Sequence, residues 1–386
     1  MTGYKNGLLA IVLILIVQFV VTFEMSVVMP LAPLIADLYE IPYHQVTYMN
    51  IGYAFFGMFA PIIGYNADRV GLKKMILFSL FIFALGSTLI ANVPSLFAYV
   101  IGRSFMGLSF FTMLGIGLSY LSLLVKQERL GVVSGLHRVA FGLGVFISPL
   151  VGTYLAENIG FFSIYQILSI VMFGILIILL VSIPNIENAS VSSSMSDVST
   201  LIKGKKERKM MMATFLMSLP AIFFFNYLSV YLNGLGYTSS MIASVYTTVA
   251  AGSVLGGVAI IFFADKVGKA EMLVFVTTIA PIILVLFYFS SGAALFIFGL
   301  MFGFSFDSAT GLLFPVGSML VTRYKATFLT LLSLTMSFVN VVSNIIGPTI
   351  YAFGGFALTL GIVASGIAIA SVLLRATTFH LRLKKH

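Results

Sequence analysis

Twelve long apolar stretches run along this chain, near residues 7–36, 45–66, 75–93, 96–125, 132–155, 160–183, 210–233, 240–264, 271–290, 293–320, 327–353 and 356–377. A bilayer span needs about 20 such residues, so the stretches leave only short connections and no sizeable soluble domain. Lipid offers backbone N–H and C=O groups no partner, which restricts spanning segments to helices or closed barrels, and barrel strands are shorter and alternate. The expected architecture is therefore an all-α polytopic membrane protein with twelve transmembrane helices. Composition agrees, with 60% of residues apolar and 9% charged, against about a quarter charged in soluble domains. An appended catalytic or DNA-binding module is excluded. The first stretch is too long for a signal-peptide core and reads as a retained helix.

Basic residues orient such a chain. With a cytoplasmic N-terminus, the even-numbered connections, the middle loop and the C-terminus share one side. Lys5, Arg69, Lys73, Lys74, Lys126, Arg129, Arg138, the cluster from Lys203 to Lys209, Lys266, Lys269, Arg323, Lys325, Arg375, Arg382, Lys384 and Lys385 all fall there, 20 of the 21 Lys and Arg. The exception, Arg103, lies inside the fourth span. The positive-inside rule then predicts a multi-pass protein of the cell (cytoplasmic) membrane with both termini in the cytoplasm. It also accounts for the net charge of +9 without nucleic acid as a partner. The absence of cysteine excludes disulfides and thiolate metal sites, and His44, His137, His380 and His386 are too scattered for a metal cluster. No metal and no cofactor is expected.

One connection is long. Residues 184–209, serine-rich and basic toward the end, divide the chain into an N-terminal six-helix bundle (1–183), a cytoplasmic linker loop (184–209) and a C-terminal six-helix bundle (210–386). Asn188-Ala189-Ser190 spells a glycosylation acceptor that a cytoplasmic position would leave unmodified. The basic run 203–209 reads either as a topology signal or as a contact for anionic lipid.

The halves superimpose in sequence. Gly64, Asp68, Arg69, Gly71, Lys73 and Lys74 follow the second span in GYNADRVGLKK, and Asp265, Lys266, Gly268 and Lys269 follow the eighth in ADKVGK. Asp68 and Asp265 are 197 residues apart, as are Gly71 and Gly268, while Pro149 and Pro348 are 199 apart. GYNADRVGLKK resembles the G-x-x-x-D-R-x-G-x-K/R-K/R signature between helices two and three of the major facilitator superfamily. That resemblance implies two pseudo-symmetric six-helix bundles that rock around a central site, a small-molecule substrate and a functional monomer. It also implies that Gly64, Asp68, Arg69, Gly71, Lys73 and Lys74 form a conformational latch, echoed by Asp265, Lys266 and Gly268. Asp68 is expected to accept free amides at a helix N-terminus or to pair with basic residues.

Further resemblances narrow the subgroup. Arg103 and Gly107 in IGRSFMG are similar to a pattern of proton-coupled members, with Met106 where glutamine is usual. Gly135, Gly144, Ser148, Pro149, Gly152 and Thr153 resemble the antiporter motif of drug:proton antiporters, Ser148 and Thr153 replacing two glycines. Glu24, Pro30 and Pro33 resemble the first helix of multidrug exporters. The implied function is a proton-coupled antiporter exporting small lipophilic or cationic compounds by alternating access. The alternative is a dedicated transporter of one metabolite, sugar, amino acid or lipid precursor.

Three ionisable residues sit deep in apolar spans: Glu24, Arg103 and Asp307. Each costs about 2.5–3.5 kcal/mol at a helix centre, so protonation or ion pairing is the leading expectation. Glu24 is expected to be the principal proton and cation site, with Arg103 tuning it. Asp307 is a second proton site, a substrate anchor, or a neutral group bonded to Asn340 or Asn344. Polar and aromatic residues within spans are the candidate substrate contacts: Gln18, Thr22, Asn50, Tyr53, Asn226, Tyr227, Tyr231, Asn340 and Asn344. Spacing of four puts Tyr227 with Tyr231, and Asn340 with Asn344, on shared helix faces. An interhelical packing role is the competing reading for each. Protons, the substrate and the bilayer are thus the expected partners, and no enzyme chemistry is expected, since no nucleophile–base pair or nucleotide loop is visible.

Overall fold

The computed structural model describes residues 7–28, 31–41, 46–184 and 202–383. Lys5, Pro30, His44, Asn188 to Ser190 with most of the linker, and Lys384, Lys385 and His386 lie outside the described residues. So do the side chains of Pro33, Pro149 and His380.

The regular structure of the described residues is helical: α1 (Gly7–Val27), α2 (Ala32–Leu38), α3 (Val46–Gly57), α4 (Ala60–Val70), α5 (Leu72–Asn92), α6 (Leu96–Leu124), α7 (Leu130–Asn158), α8 (Phe161–Ser182), α9 (Lys205–Ser218), α10 (Pro220–Gly234), α11 (Ser239–Val267), α12 (Lys269–Tyr288), α13 (Ala293–Leu320) and α14 (Lys325–Leu383). Ten of the resulting segments are long and apolar enough to cross a membrane. They reconcile with twelve spans because Lys325–Phe379 carries two of them, bent at Gly355 (φ 60°), and because the second span is the α3–α4 pair.

Proline and glycine explain the breaks. Pro61 stands in the first turn of α4 and Pro220 opens α10, where a missing N–H costs no helical bond. Gly71 (φ 110°) separates α4 from α5, and Gly268 (φ 114°) separates α11 from α12, in a backbone region costly for other residues. The two glycines are the repeat-related pair of the signature loops. Large apolar side chains such as Phe97, Ile170, Val181, Phe289 and Phe353 face outward, an arrangement that suits lipid and would be a liability in water.

Helices cluster into two compact units, one built from parts of residues 1–127, 143–198 and 321–338, the other from 128–142, 199–320 and 339–386. The first is organised around α6, which packs on α1, α3, α4 and α5. The second is organised around α13, which packs on α9, α11 and α12. Each unit also takes a helix segment from the opposite half of the chain: the start of α14 joins the first and the start of α7 joins the second.

Glycines set the closest approaches. A Cβ at Gly107 of α6 would strike the backbone of Tyr53 in α3, and one at Gly303 of α13 would strike the Val249 backbone in α11. Van der Waals packing of small residues is what drives helix association where no hydrophobic effect operates. Gly303→Leu should therefore destabilise the second unit by about 1–3 kcal/mol, read as a lower midpoint of heat-induced aggregation in detergent.

Candidate functional site

In the first unit, α1 carries Glu24 and α6 carries Arg103, both buried. They form an ion pair, and the same guanidinium reaches the Glu24 carbonyl at 3.4 Å and Asn50 Oδ1 of α3 at 3.0 Å. Its plane lies 4.4 Å over the Tyr53 ring, a geometry in which the ring face attracts a cation. One polar cluster therefore gathers four of the expected residues from three helices. Glu24 Oε2, Arg103 Nε and the Tyr53 hydroxyl have no hydrogen-bond partner among the described residues. Gln18 donates to Thr22 Oγ1 at 2.9 Å one turn earlier on α1, and its own Oε1 has no hydrogen-bond partner among the described residues.

Asp307 of α13 lies in the second unit, with Ser253 of α11 donating to one carboxylate oxygen and Arg138 of α7 paired with the other. This corrects the placement of Arg138. It was counted with the basic residues of a cytoplasmic connection, but it is a largely buried helical residue whose guanidinium also lies 4.0 Å from the Phe141 ring centroid. A signal was available: Arg138 falls six residues inside the stretch 132–155. Ser253 was not anticipated.

The two signature aspartates do the same thing. Asp68 accepts from the amides of Ala326 (3.3 Å) and Thr327 (2.7 Å) and from the Thr327 hydroxyl (2.6 Å), at the start of α14. Asp265 accepts from the amides of Gly131 (3.0 Å) and Val132 (3.1 Å), at the start of α7. First-turn amides have no intrahelical partner, and the macrodipole favours an anion there. Asp265 also pairs with Lys269. Of the basic latch residues, Arg69 lies against Tyr65, and Lys73 donates to the Ile183 carbonyl at 2.9 Å. Gly64 faces Thr330, where a Cβ would collide.

The motif residues of α7 are contact points. A Cβ at Gly144 would sit 2.9 Å from the Phe19 carbonyl oxygen, Gly152 abuts Val27, and at Gly135 the Ile261 amide would be 2.7 Å away. Ser148 is buried and turns its hydroxyl to the Val145 carbonyl. The second group of substrate candidates lies in the other unit, on α10 and α14. Asn226 donates to Asn344 at 3.5 Å, Tyr227 stacks on Tyr351 at 4.6 Å, and Tyr231 stacks on Phe356 at 4.4 Å. Asn340, on the same helix as Asn344, is part-buried.

Residues 14–315 match the family model of the Major Facilitator Superfamily. The chain belongs to that superfamily. Over 125 residues it is 33% identical to an uncharacterized transporter of Buchnera aphidicola from Schizaphis graminum, 32% of each chain. Over 107 residues it is 29% identical to multidrug resistance protein 3 of Bacillus subtilis, 28% of this chain and 21% of that one. The aligned stretches span about a third or less of these curated relatives. Among solved structures, the human organic anion transporter MFSD10 (TETRAN) superimposes with a TM-score of 0.82 at 13% identity, over 96% of this chain and 100% of that one. The Escherichia coli fucose:proton symporter FucP gives 0.78 at 15%, over 97% and 99%. The protein thus has the superfamily's multi-pass helical fold.

The chain has no native cysteine, so a single introduced thiol reports cleanly. Asp68→Ala should speed labelling of a cysteine replacing buried Ala326 by about 2- to 30-fold, the range equivalent to a lost cap worth 0.5–2 kcal/mol; an unchanged rate would count against the cap. Removing Arg103 alone (Arg103→Met) should cost about 3–5 kcal/mol by stranding Glu24, and the further change Glu24→Leu should recover most of it, compared as melting midpoints in detergent.

Proposed function

We propose that this transporter is a proton-coupled antiporter that exports small lipophilic or cationic compounds by alternating access. The observation that carries the reading is the buried Glu24–Arg103 pair, with Asn50 and Tyr53 around it and one Glu24 oxygen without a partner among the described residues. A carboxylate held by a single movable guanidinium is a proton acceptor whose affinity follows the position of that guanidinium. A cationic substrate competes with Arg103 for the same carboxylate and for the Tyr53 ring face. The partial similarity to a protein named for multidrug resistance supports export.

In this reading the bundles 1–183 and 210–386 are the moving parts and residues 184–209 tether them. Gln18 and Thr22 flank the proton site, and Asn226, Tyr227, Tyr231, Asn340 and Asn344 are the substrate contacts contributed by the second unit. Asp68 and Asp265 act as caps that stabilise one conformation, with Lys266 and the remaining signature residues around them. Both termini lie in the cytoplasm of the cell, and the functional unit is a monomer in the bilayer. A proton entering across 100 mV supplies about 2.3 kcal/mol, enough to drive out a neutral or singly charged compound.

The test uses inverted membrane vesicles and a dye that reports the proton gradient. Several unrelated lipophilic cations or neutral drugs should each trigger proton release, and Glu24→Gln should abolish it. A response to one metabolite alone would establish the dedicated transporter instead, and full activity in Glu24→Gln would remove Glu24 from the coupling.

A further inference from the structure

The start of α7 is held to α13 and α11 by three polar ties of increasing depth. Asp265 caps Gly131 and Val132, the Ser134 hydroxyl donates to the Gly311 carbonyl at 2.9 Å, and Arg138 pairs with Asp307. The start of α14 has matching ties in the other unit: the Asp68 cap, Thr330 packed on Gly115, and the Ser337 hydroxyl donating to the Ala54 carbonyl. Positions 134 and 330, and 311 and 115, are each 196 residues apart. The correspondence fails at the deepest tie. For this tie α14 uses an uncharged serine and has Leu334 at the position 196 residues from Arg138, whereas α7 uses an arginine on a carboxylate.

We propose that Arg138 is a coupling residue: its pairing with Asp307 makes the docking of the first half of α7 onto α13 depend on a proton. Asp307 takes one proton from water, the carboxylate becomes a carboxylic acid, and its O–H donates to the Ser253 hydroxyl. Arg138 keeps its charge and loses its counter-ion in a poorly solvated position, which favours its departure from α13. The first half of α7 then remains tied only by groups that bond equally well in either protonation state of Asp307.

Other charges around α13 are accounted for. From α7, His137 is buried beside Arg138, its Nε2 without a hydrogen-bond partner among the described residues. From α11 come Ser253, and at the far end Asp265 and Lys266; from α12 come Lys269, paired with Asp265, and Glu271. From α9 the charges are Lys205, Lys206, Glu207, Arg208 and Lys209, all in its first turns. Among the described residues, Arg138 is the charged group paired with the Asp307 carboxylate.

This inference rests on the chain being a proton-coupled transporter, but its readout is separate from transport and from Glu24. Hydrogen exchange of the full-length protein in detergent, corrected for intrinsic rates, should show residues 128–142 losing protection at least tenfold between pH 8 and pH 5.5. Asp307→Asn should show the low protection at both pH values. The double variant Arg138→Met with Asp307→Leu, which removes both charges together and leaves none stranded, should be protected at both. The same pH dependence should persist in Glu24→Gln. Protection independent of pH in the unmodified protein, or a pH dependence retained by the double variant, would overturn the proposal. A failure of the Glu24 reading in the vesicle assay leaves both results unchanged.

Discussion

A charge placed among hydrocarbon has to bring its own solvation, and in this protein another side chain supplies it. Glu24 is solvated by Arg103, and Arg103 by Asn50 and the Tyr53 ring; Asp307 is solvated by Arg138 and Ser253. These pairs determine which helices must be neighbours: α1, α3 and α6 in one unit, α7, α11 and α13 in the other. Well-packed apolar residues of similar volume would hold helices together as well or better than a buried ion pair. Retention of four costly charges therefore points away from stability and toward a process in which the pairs come apart.

Close packing sets the distances over which such pairs can act. Gly107 against Tyr53 brings α6 to α3 close enough for Arg103 to span the gap, and Gly303 against Val249 does the same for α13 and α11, where Asp307 meets Ser253. Gly115 accommodates Thr330 as Gly311 accommodates the segment bearing Ser134 and Arg138. A methyl group at Gly107, Gly303 or Gly115 would push a backbone away by more than a hydrogen bond can stretch, and at Gly311 it would meet the Ile260 and Arg138 side chains.

Much of this was legible in the sequence, and the failures are physical. Spans were readable because lipid imposes a length and an apolarity on every crossing helix. The breaks at Pro61 and Pro220 were not, since a proline in an apolar run is compatible with either a kink or a new helix, whereas the bend at Gly355 falls between the stretches 327–353 and 356–377. Glu24 and Arg103 stood out as ionisable residues deep in apolar spans, and it was the family resemblance that suggested they act together. Arg138 was misassigned because a count of basic residues by connection treats the end of a helix as loop, whereas burial is decided by which helix lies alongside. Ser253, lying in a helix full of small residues, has no local feature that separates it from its neighbours; only Asp307 makes it distinctive.

The aspartate caps have an asymmetry of their own. Asp68 and Asp265 bind mainly to main-chain amides, a feature that every residue except proline presents. The receiving positions are thus nearly free to drift: at 326 and 132 any side chain that fits preserves the bond, and only crowding limits Gly131, where a Cβ would come within 2.7–2.9 Å of the Asp265 carboxylate. A contact joining residues 258 and 259 positions apart therefore writes itself into just one of the two places it joins. Methods that look for paired substitutions would find the aspartate and miss its partner, although the two are in contact.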